Sequence, residues 1–449
     1  MSIKNWALKA AAFGLALGLA SGGASAMTPA DYMSWFKANQ NAKATFKAGD
    51  VITFKDAEKI RAFIPPGYQE EMLFEGMQVS IHETSDLSPP LPYQVATKKF
   101  QGQVTLAADG ALENYTAGQP FAYDTLTPGK ESGFKAAWNF NFRWQSEGLE
   151  VPYVHWVWVR KGGNHDNHSI MNTKYAKYYT GGGSFERVLA GPYLRVYFTH
   201  RSDLPDQDYK IEGSWAKGTE FRELTGFTEP FDIDGTAFLI LRHDDPHKAD
   251  DSWAYIPSLR RVRRISVEVK SDSLLGTDHT LEDFYCFAGR ILEHDWNYIG
   301  VARILAVARS RNDSTIYYGP NGWTPLDNFE LRSVDVYQQI PKSDSHPYSV
   351  KFIHTDRNSG ECYYANAFDQ AGELWKIWQL SKVFTEDPWY DNWVGVPKGI
   401  RGSSFQSINV IDKQNGRGTL VPCYGNGYPQ NKMNRVKRKL DVNQLTEGR

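Results

Sequence analysis

Two short groups of histidine and aspartate residues are the part of this sequence best suited to metal or acid–base chemistry. They are His165-Asp166-Asn167-His168 and His243-Asp244-Asp245-Pro246-His247. Imidazole and carboxylate groups are zinc ligands, but a zinc site needs a further protein ligand that neither group identifies. Asp, Asn and Pro are also common turn residues, and both groups fall between predicted strands. We therefore interpret both as turns and predict neither a metal site nor a cofactor.

Sequence motifs with an established catalytic mechanism are missing. The chain contains no G-x-S-x-G, H-E-x-x-H, C-x-x-C or G-x-G-x-x-G. The glycine run at residues 181–183 is not followed by the Lys-Ser or Lys-Thr pair of a phosphate-binding loop. We predict no catalytic residues and a protein that is not an enzyme. A metal-dependent hydrolase that uses the histidine turns stays as an alternative.

Residues 259–270 predict a strand, because their side chains alternate with a period of two. Towards the C-terminal end of this strand, one of its two faces is apolar and must therefore point inward. The apolar residues of this face are Ile265, Val267 and Val269. Arg261 and Arg263 share that face. We therefore predict that both guanidinium groups point inward at the entrance of the strand, where a buried charge needs an anionic partner.

An acidic box at residues 276–283 follows this strand and offers such partners. Its acidic residues lie at a predicted helix N-terminus, where negative charge is favoured; they are Asp278, Glu282 and Asp283. In one interpretation these carboxylates pair with Arg261 and Arg263 and pin the helix. In the other, the two arginines bind an anionic head group at the mouth of a cavity.

Aromatic residues form rows that could contact a ligand. Residues 138–144 alternate aromatic with polar side chains and predict a half-buried strand, and residues 153–160 predict its antiparallel partner. Another alternating strand follows at residues 193–200. The inward wall is predicted to combine residues of these three strands with Ile265, Val267 and Val269 of the later strand; the former are Trp138, Phe140, Phe142, Trp144, Trp156, Trp158, Leu194, Val196 and Phe198. This wall either lines an apolar cavity or belongs to a filled core, because both present the same inward apolar face.

Several of these segments resemble known exported proteins. The pattern W-x-Y-x-P-x-L-R-R-V-R-R with the box G-T-D-x-T-x-E-D resembles the outer-membrane lipoprotein-sorting proteins, which are relatives of the LolA and LolB carriers. Residues from about 50 to 440 resemble a Gram-negative family known as domain of unknown function thirteen-twenty-nine, through LENYTAGQPF, AAWNFNFRW and FAGRILEHDW. The resemblance implies a β-rich α+β fold: an incomplete, strongly curved antiparallel β-barrel with helices over its open face. It implies no reaction.

The resemblance also implies a function, which is to shelter an apolar ligand in the periplasm. We expect a carrier or chaperone for a lipid, an acyl chain or a lipoprotein that supports envelope transport. Its expected partners are an inner-membrane exporter of the resistance-nodulation-division type and an outer-membrane protein. A glycan-binding protein with aromatic platforms is the alternative from a different class.

The N-terminus predicts export. Residues 1–26 combine Lys4 and Lys9, an apolar stretch and the cleavage pattern Ala24-Ser25-Ala26, as in a signal peptide. No cysteine lies near that site, so we expect a periplasmic protein that is not a lipoprotein. Removal of this leader leaves 48 basic and 52 acidic residues, a net charge near −4, which argues against a nucleic acid partner.

Composition and the absence of linkers predict one large β-rich domain. Aromatic residues make up 14% of the chain and there are 38 glycines, which favours strands and tight turns over a helical bundle. We predict a helical segment at residues 27–49, a single domain at 50–440 and a tail at 441–449, and we interpret the basic residues 432–439 as solvent-exposed. Cys362 and Cys423 lie in predicted strands and either form a disulfide or include a buried free thiol.

Overall fold

The computed structural model describes residues 26–164, 168–265, 271–387, 389–390, 393–394, 401–427 and 433–445. Within these ranges the chain is β-rich with few helices, which confirms the predicted class. The helices are α1 (Pro29–Asn41), α2 (Glu58–Arg61), α3 (Gln69–Met72), α4 (Leu91–Phe100), α5 (Lys130–Asn141) and α6 (Met433–Leu440). None of these helices is long and apolar enough to cross a membrane.

The strands of the described ranges are given in chain order. They are β1 (Val51–Thr53), β2 (Gln78–His82), β3 (Thr105–Leu106), β4 (Leu112–Glu113), β5 (Gly148–Arg160), β6 (Ser184–Tyr197), β7 (Thr219–Gly226), β8 (Ala237–His243), β9 (Asp251–Ile256), β10 (Arg261–Arg264), β11 (His294–Ala306), β12 (Tyr317–Tyr318), β13 (Thr324–Pro325), β14 (Asn328–Pro341), β15 (Tyr348–Asp356), β16 (Cys362–Asp369), β17 (Leu374–Phe384), β18 (Trp393–Val394), β19 (Ser403–Asp412), β20 (Arg417–Pro422) and β21 (Asn426–Gly427).

Most of these strands join one large sheet. Antiparallel pairing runs in the order β11, β14, β15, β16, β17, β19, β20, β5, β6, β7, β8, β9 and β10. β2 lies parallel to the start of β14 and pairs with β1, so the sheet is mixed. In the described ranges no ladder joins β10 to β11, and the sheet is therefore not a closed barrel.

The central strands are buried on both faces, as in a sheet with packing layers on either side. Every residue of β16 except the last is buried. On one face, Tyr32 of α1 stacks on Phe352 of β15 with 3.8 Å between ring centroids. Thr28 caps this helix as its position predicts: Asp31 N donates to Thr28 Oγ1 at 3.3 Å. The other face packs against α5 and residues 277–287.

Residues 138–144 do not form the predicted strand, and this prediction was wrong. Most of the stretch belongs to α5, and its expected hairpin partner β5 pairs instead with β6 and β20. Small residues at helical spacing decide the structure, because they let the helix lie directly on β11. A Cβ atom at Gly133 would lie 2.4 Å from the Trp296 carbonyl carbon. Because aromatic and polar residues alternate with a period of two in this stretch, the pattern favoured a strand over the helix.

The predicted exposure of the basic C-terminal residues is confirmed for Lys437, Arg438 and Lys439, but these residues belong to a helix, α6, whose apolar side packs on the sheet. Val436 and Leu440 are buried, and Arg222 of β7 donates to the Leu440 carbonyl oxygen at 3.0 Å. The apolar residues that α6 covers are three of the predicted wall: Leu194, Val196 and Phe198. These side chains therefore lie under a helix, on the face of β6 opposite Tyr193. Residues 1–25 of the expected signal peptide lie outside the described ranges.

Candidate functional site

Residues 277–287, which we call the plug segment, lie on the face of the sheet where the sequence predicted a hollow. Phe284 packs against Tyr193 of β6 and Phe405 of β19, with ring centroids 5.1 and 5.6 Å apart. It also lies 5.9 Å from the ring of Trp156 of β5, a residue that is 1% exposed. At these strands the interior is filled by the chain's own side chains.

Buried ion pairs hold the plug segment to the sheet. Lys351 of β15 donates to Asp283 Oδ1 at 2.5 Å, and Tyr348 donates to Asp283 Oδ2 at 2.7 Å. Burial alone would raise the pKa of Asp283, but Lys351 and Lys376 outweigh burial and lower it. At Asp278, Arg417 and Thr419 both donate to the carboxylate, at 2.7 and 2.8 Å. Here burial is the larger effect and raises the pKa of the carboxyl group.

The predicted partnership of Arg261 and Arg263 with this acidic box is wrong. Both arginines are exposed on β10, whose pairing partner in the described sheet is β9 alone. The half-buried residue of β10 is Val262, so the inward and outward positions are the reverse of the prediction. Ile265 is half-buried just beyond the strand. Val267 and Val269 lie outside the described residues.

The helix predicted to begin in the acidic box does not form. Thr280 makes the expected capping contact, since Asp283 N donates to Thr280 Oγ1 at 3.1 Å. Only a 3₁₀ turn follows, because Tyr285 and Cys286 have positive φ values of 58° and 77°.

Cys286 forms a disulfide with Cys362 of β16, with their Cα atoms 6.4 Å apart. Of the two alternatives left open by the sequence, the Cys362–Cys423 disulfide is therefore wrong, and the buried free thiol is confirmed for Cys423. Sequence spacing could not reveal this pairing, since it depends on the plug segment crossing β16.

The predicted aromatic wall is divided among separate environments. Trp156 lies in the interior, whereas Trp158 is half-buried beside Arg417, whose guanidinium carbon is 5.1 Å from the ring centroid. Phe140 is buried under Arg143, and Trp144 donates to the Arg401 carbonyl oxygen at 2.8 Å. Trp138 and Phe142 come together at the end of α5.

The rings of Trp138 and Phe142 stack 5.7 Å apart and line a pocket of about 230 Å³. The other residues that matter for its chemistry are Tyr115, Asn141, His200, Glu220, Asp244 and Pro246. The pocket thus combines the aromatic row with the second histidine group, two features that sequence analysis treated separately. The group forms the predicted turn after β8, with His247 within 2.7 Å of Asp109. Residues 165–167 of the first group lie outside the described residues.

Hydrogen-bond geometry favours a doubly protonated His200 in this pocket. Its Nδ1 lies 2.7 Å from the Thr116 carbonyl oxygen and its Nε2 lies 2.8 Å from Asp244 Oδ1. Both partners accept only, so both ring nitrogens carry protons. Burial lowers the pKa of His200, but the Asp244 carboxylate outweighs it and raises the pKa overall. A doubly protonated ring with both N–H groups engaged cannot take up a proton as a general base.

A larger groove of about 770 Å³ lies beside the first half of α5. Its apolar lining consists of Val104, Leu106, Ala107, Ala108, Phe121 and Phe134. Its rim carries charges of both signs: Lys130, Lys135, Lys342, Asp109, Glu131 and Asp295. Gly110 has φ +91°, and a Cβ atom there would lie 2.5 Å from the Phe134 ring, so glycine lets Phe134 lie against this loop.

The sequence profile of the family described as "Protein of unknown function (DUF1329)" matches residues 51–423. The chain belongs to this family. The sequence resemblance is thereby confirmed. No curated protein matches this DUF1329 chain.

Solved structures similar to this DUF1329 protein include the following three. A putative outer membrane lipoprotein-sorting protein domain from Vibrio parahaemolyticus is 18% identical, covers 71% of this chain and 99% of its own, and has a TM-score of 0.45. A DUF1329 family protein from Desulfovibrio piger is 16% identical, with 71% and 100% coverage and a TM-score of 0.46. A LolA superfamily protein from Nitrosomonas europaea is 15% identical, with 66% and 92% coverage and a TM-score of 0.32.

The groove of this DUF1329 protein could not be predicted, because no element was assigned to residues 130–137 from the sequence. A helix is what places Phe134 and Lys135 on the same side as Lys130. The i, i+3 and i, i+4 spacing of Glu131, Phe134 and Lys135 was the available signal.

Proposed function

We propose that this DUF1329 protein is a periplasmic carrier for an amphiphilic ligand such as a lipid, an acyl chain or a lipid-modified protein. The binding site in this proposal is the groove beside α5, and not the interior of the sheet. The observation that carries it is the contrast in free volume: the groove measures about 770 Å³, whereas Phe284 and its neighbours fill the inner face. An incompletely closed, curved sheet then serves as a rigid support.

The groove suits a molecule with one apolar and one polar part. Each fully buried methylene group contributes about 0.8 kcal/mol, and a groove open on one side yields part of that for each group of an acyl chain. At the rim, Lys135 Nζ is 2.6 Å from Glu131 and 5.5 Å from the centroid of Phe121. Lys342 Nζ lies 5.9 Å from the centroid of Phe134. The ammonium groups of these lysines can contact a polar head group while the acyl chain of the ligand covers the aromatic rings.

Transfer of the ligand would depend on other envelope proteins. The chain has no nucleotide-binding motif, so release requires a partner that binds the ligand more tightly, at about 1.4 kcal/mol for each tenfold difference in affinity. An inner-membrane exporter of the resistance-nodulation-division type and an outer-membrane protein are the partners we propose. No reaction is part of this proposal.

Binding of a fluorescent fatty acid, cis-parinaric acid, tests the site. We expect Phe134→Asp to weaken binding at least tenfold, because it places a charge in the apolar floor. Phe231→Asp is the matched control, since Phe231 is 95% exposed and lies away from the groove. Circular dichroism must show that both variants are folded. Equal affinity of Phe134→Asp and the wild type would refute the groove as the site.

Native mass spectrometry of protein purified from a Gram-negative host provides a second test. We expect a retained lipid mass on the wild type and its loss from Phe134→Asp. An unloaded wild-type chain that also fails to bind cis-parinaric acid would contradict carriage altogether.

A compact glycan in the pocket is the second candidate, and the helical structure of α5 favours it. In a strand, Asn141 would point away from Trp138 and Phe142, whereas in the structure all three line the same pocket. An aromatic wall with polar neighbours is the arrangement that sugars need. We expect Phe142→Ala to abolish any binding on a glycan array and to leave cis-parinaric acid binding unchanged.

A further inference from the structure

Three potential metal ligands meet where the plug segment contacts the sheet. They are Glu282 of the plug segment, His294 at the start of β11 and His346 before β15, and their ligand atoms all lie within 4.8 Å of one another. Glu282 Oε1 is 2.9 Å from His294 Nε2 and 3.5 Å from His346 Nε2. The three residues are 6%, 2% and 9% exposed, so water cannot compete freely for these atoms.

The orientation of His294 suits a metal ligand once its Nε2 proton is displaced by an ion; without an ion this proton lies towards Glu282, as that of His200 lies towards Asp244. The Nδ1 of His294 donates to the Arg290 carbonyl oxygen at 3.1 Å, and its Nε2 points at Glu282. Metal-bound histidines are commonly held in this way, because the backbone carbonyl fixes the ring and leaves Nε2 for the ion.

Gln339 provides an independent observation that points to a ligand. It is fully buried, and its Nε2 donates to Glu282 Oε1 at 2.9 Å. Its Oε1 has no hydrogen-bond partner among the described residues. A buried acceptor is rarely left without a donor or an ion, and this one belongs to an amide that already contacts the cluster.

We propose that Glu282, His294 and His346 bind one divalent transition-metal ion of the zinc class. Two imidazoles and a carboxylate are a borderline donor set that suits Zn²⁺ and is poor for Ca²⁺ or Mg²⁺, which require oxygen ligands. Bonds of about 2.0–2.2 Å to a tetrahedral ion separate its ligands by about 3.4 Å, close to the distances that Glu282 makes with the two histidines. Gln339 Oε1 or a water molecule completes the coordination.

Coordination would change one hydrogen bond, which provides a specific readout. Tyr348 N donates to His346 Nδ1 at 3.0 Å, so Nδ1 carries no proton in this arrangement. An ion on Nε2 moves the ring proton to Nδ1, and the Tyr348 amide must then lose this acceptor. The metal would also join the plug segment to β11 and to the loop before β15, so that it stabilises the filled interior. This inference does not depend on the proposed function.

Isothermal titration of EDTA-treated protein with ZnCl₂ tests the proposal, with bound zinc measured by mass spectrometry. We expect one equivalent of zinc and a rise of several degrees in the melting temperature, because the ion binds the folded state alone. His346→Gln should bind zinc with at least tenfold lower affinity than the wild type, and circular dichroism should show that it remains folded. His247→Ala is the matched control, since it removes an exposed histidine of the pocket region and should bind zinc as the wild type does.

Two results would overturn the metal site. One is a wild-type protein that binds no zinc or gains no thermal stability from it, and the other is undiminished binding by His346→Gln. Cobalt substitution gives a test without any mutation: visible absorption bands of a tetrahedral Co²⁺ site, with a shifted Tyr348 amide resonance in the zinc form, are expected. Their absence would equally contradict the site.

Discussion

The inner face of the sheet and the space flanking α5 are both rich in aromatic residues, yet one is filled and the other is open. On the inner face, Trp156 and Phe284 pack among other rings and leave no room for a ligand. Beside α5, Phe134 borders a groove and Phe142 borders a pocket. An apolar sequence pattern therefore identifies a surface that is shielded from bulk water. It does not show whether protein or ligand covers that surface.

The charged residues of the two regions also differ in how deeply they are buried. The carboxylates of the plug segment are buried and individually paired, as Asp283 is with Lys351. The lysines of the groove are exposed or half-buried, and Lys135 forms a pair with an exposed Glu131. Breaking a buried pair leaves an uncompensated charge, whereas breaking an exposed pair changes little. The inner region should therefore control stability and the groove should control binding.

The largest effect is expected for Trp156→Asp. Truncation of a buried tryptophan already costs about 3–5 kcal/mol, and a carboxylate at this position adds the cost of an unpaired buried charge. We expect this variant to be unfolded or insoluble, as judged by circular dichroism and gel filtration. If Trp156→Asp instead folds and loses only the binding of an apolar probe, the hypothesis that the interior of the sheet is a ligand cavity would be supported again.

Asp283→Ala should be the next most damaging change. It leaves Lys351 buried without its carboxylate, and we expect a loss of about 3–5 kcal/mol in the free energy of unfolding, measured with urea. Asp295→Ala in the groove is the matched control and should stay within about 0.5 kcal/mol of the wild type. Asp283→Ala with Lys351→Met should recover part of the loss. Equal effects of the two single variants would remove the distinction between the regions.

The two regions should also respond to pH with opposite sign. Burial lowers the pKa of His279 in the plug segment to about 3, so this neutral ring favours folding above the unfolded pKa of about 6.5. Its contribution is lost as pH falls from about 6.5 towards 3, at about 1.4 kcal/mol per pH unit. The raised pKa of His200 in the pocket has the reverse effect: its contribution is present below about 6.5 and is lost as pH rises through the folded value.

Urea midpoints measured from pH 5 to pH 8 separate these two histidines. His279→Phe should flatten the acid side of the stability profile, and His200→Gln should flatten the alkaline side. The reverse assignment, or a profile that neither variant changes, would contradict the charge states inferred from the structure.

The sequence predicted what depends on local pattern and family resemblance, and it failed where distant segments meet. The β-rich class follows from composition and from the family resemblance, and the strand at residues 153–160 follows from the spacing of its side chains. The α5 region was misassigned because period two in Trp138 to Trp144 competed with small residues at helical spacing. The partners of Asp278 and Asp283 could not be found, since Arg417 and Lys351 are far away in the chain.

The same limitation explains the candidate sites. The cluster of Glu282, His294 and His346 has no short spacing that a motif search would detect, whereas the compact histidine group at residues 243–247, which a search does detect, forms a turn. The pocket required a helix to bring Trp138 beside Asn141, and the groove required the same helix to expose Phe134. The wrong strand assignment of residues 138–144 concealed the pocket, and the helix left unassigned at residues 130–137 concealed the groove.

The smallest effect on stability, and the sharpest test of the comparison, is expected for Lys135→Gln. Its pair with Glu131 spans one helical turn at an exposed site, so its loss should cost about 0.3–0.5 kcal/mol in the free energy of unfolding. Affinity for the anionic cis-parinaric acid should nevertheless fall several-fold at low salt. The difference from the wild type should shrink at high ionic strength, because salt screens exposed charges beyond about 10 Å at 0.1 M. A binding defect independent of salt would mean that Lys135 acts through packing on Phe121, and a large loss of stability would mean that the groove is as structural as the interior.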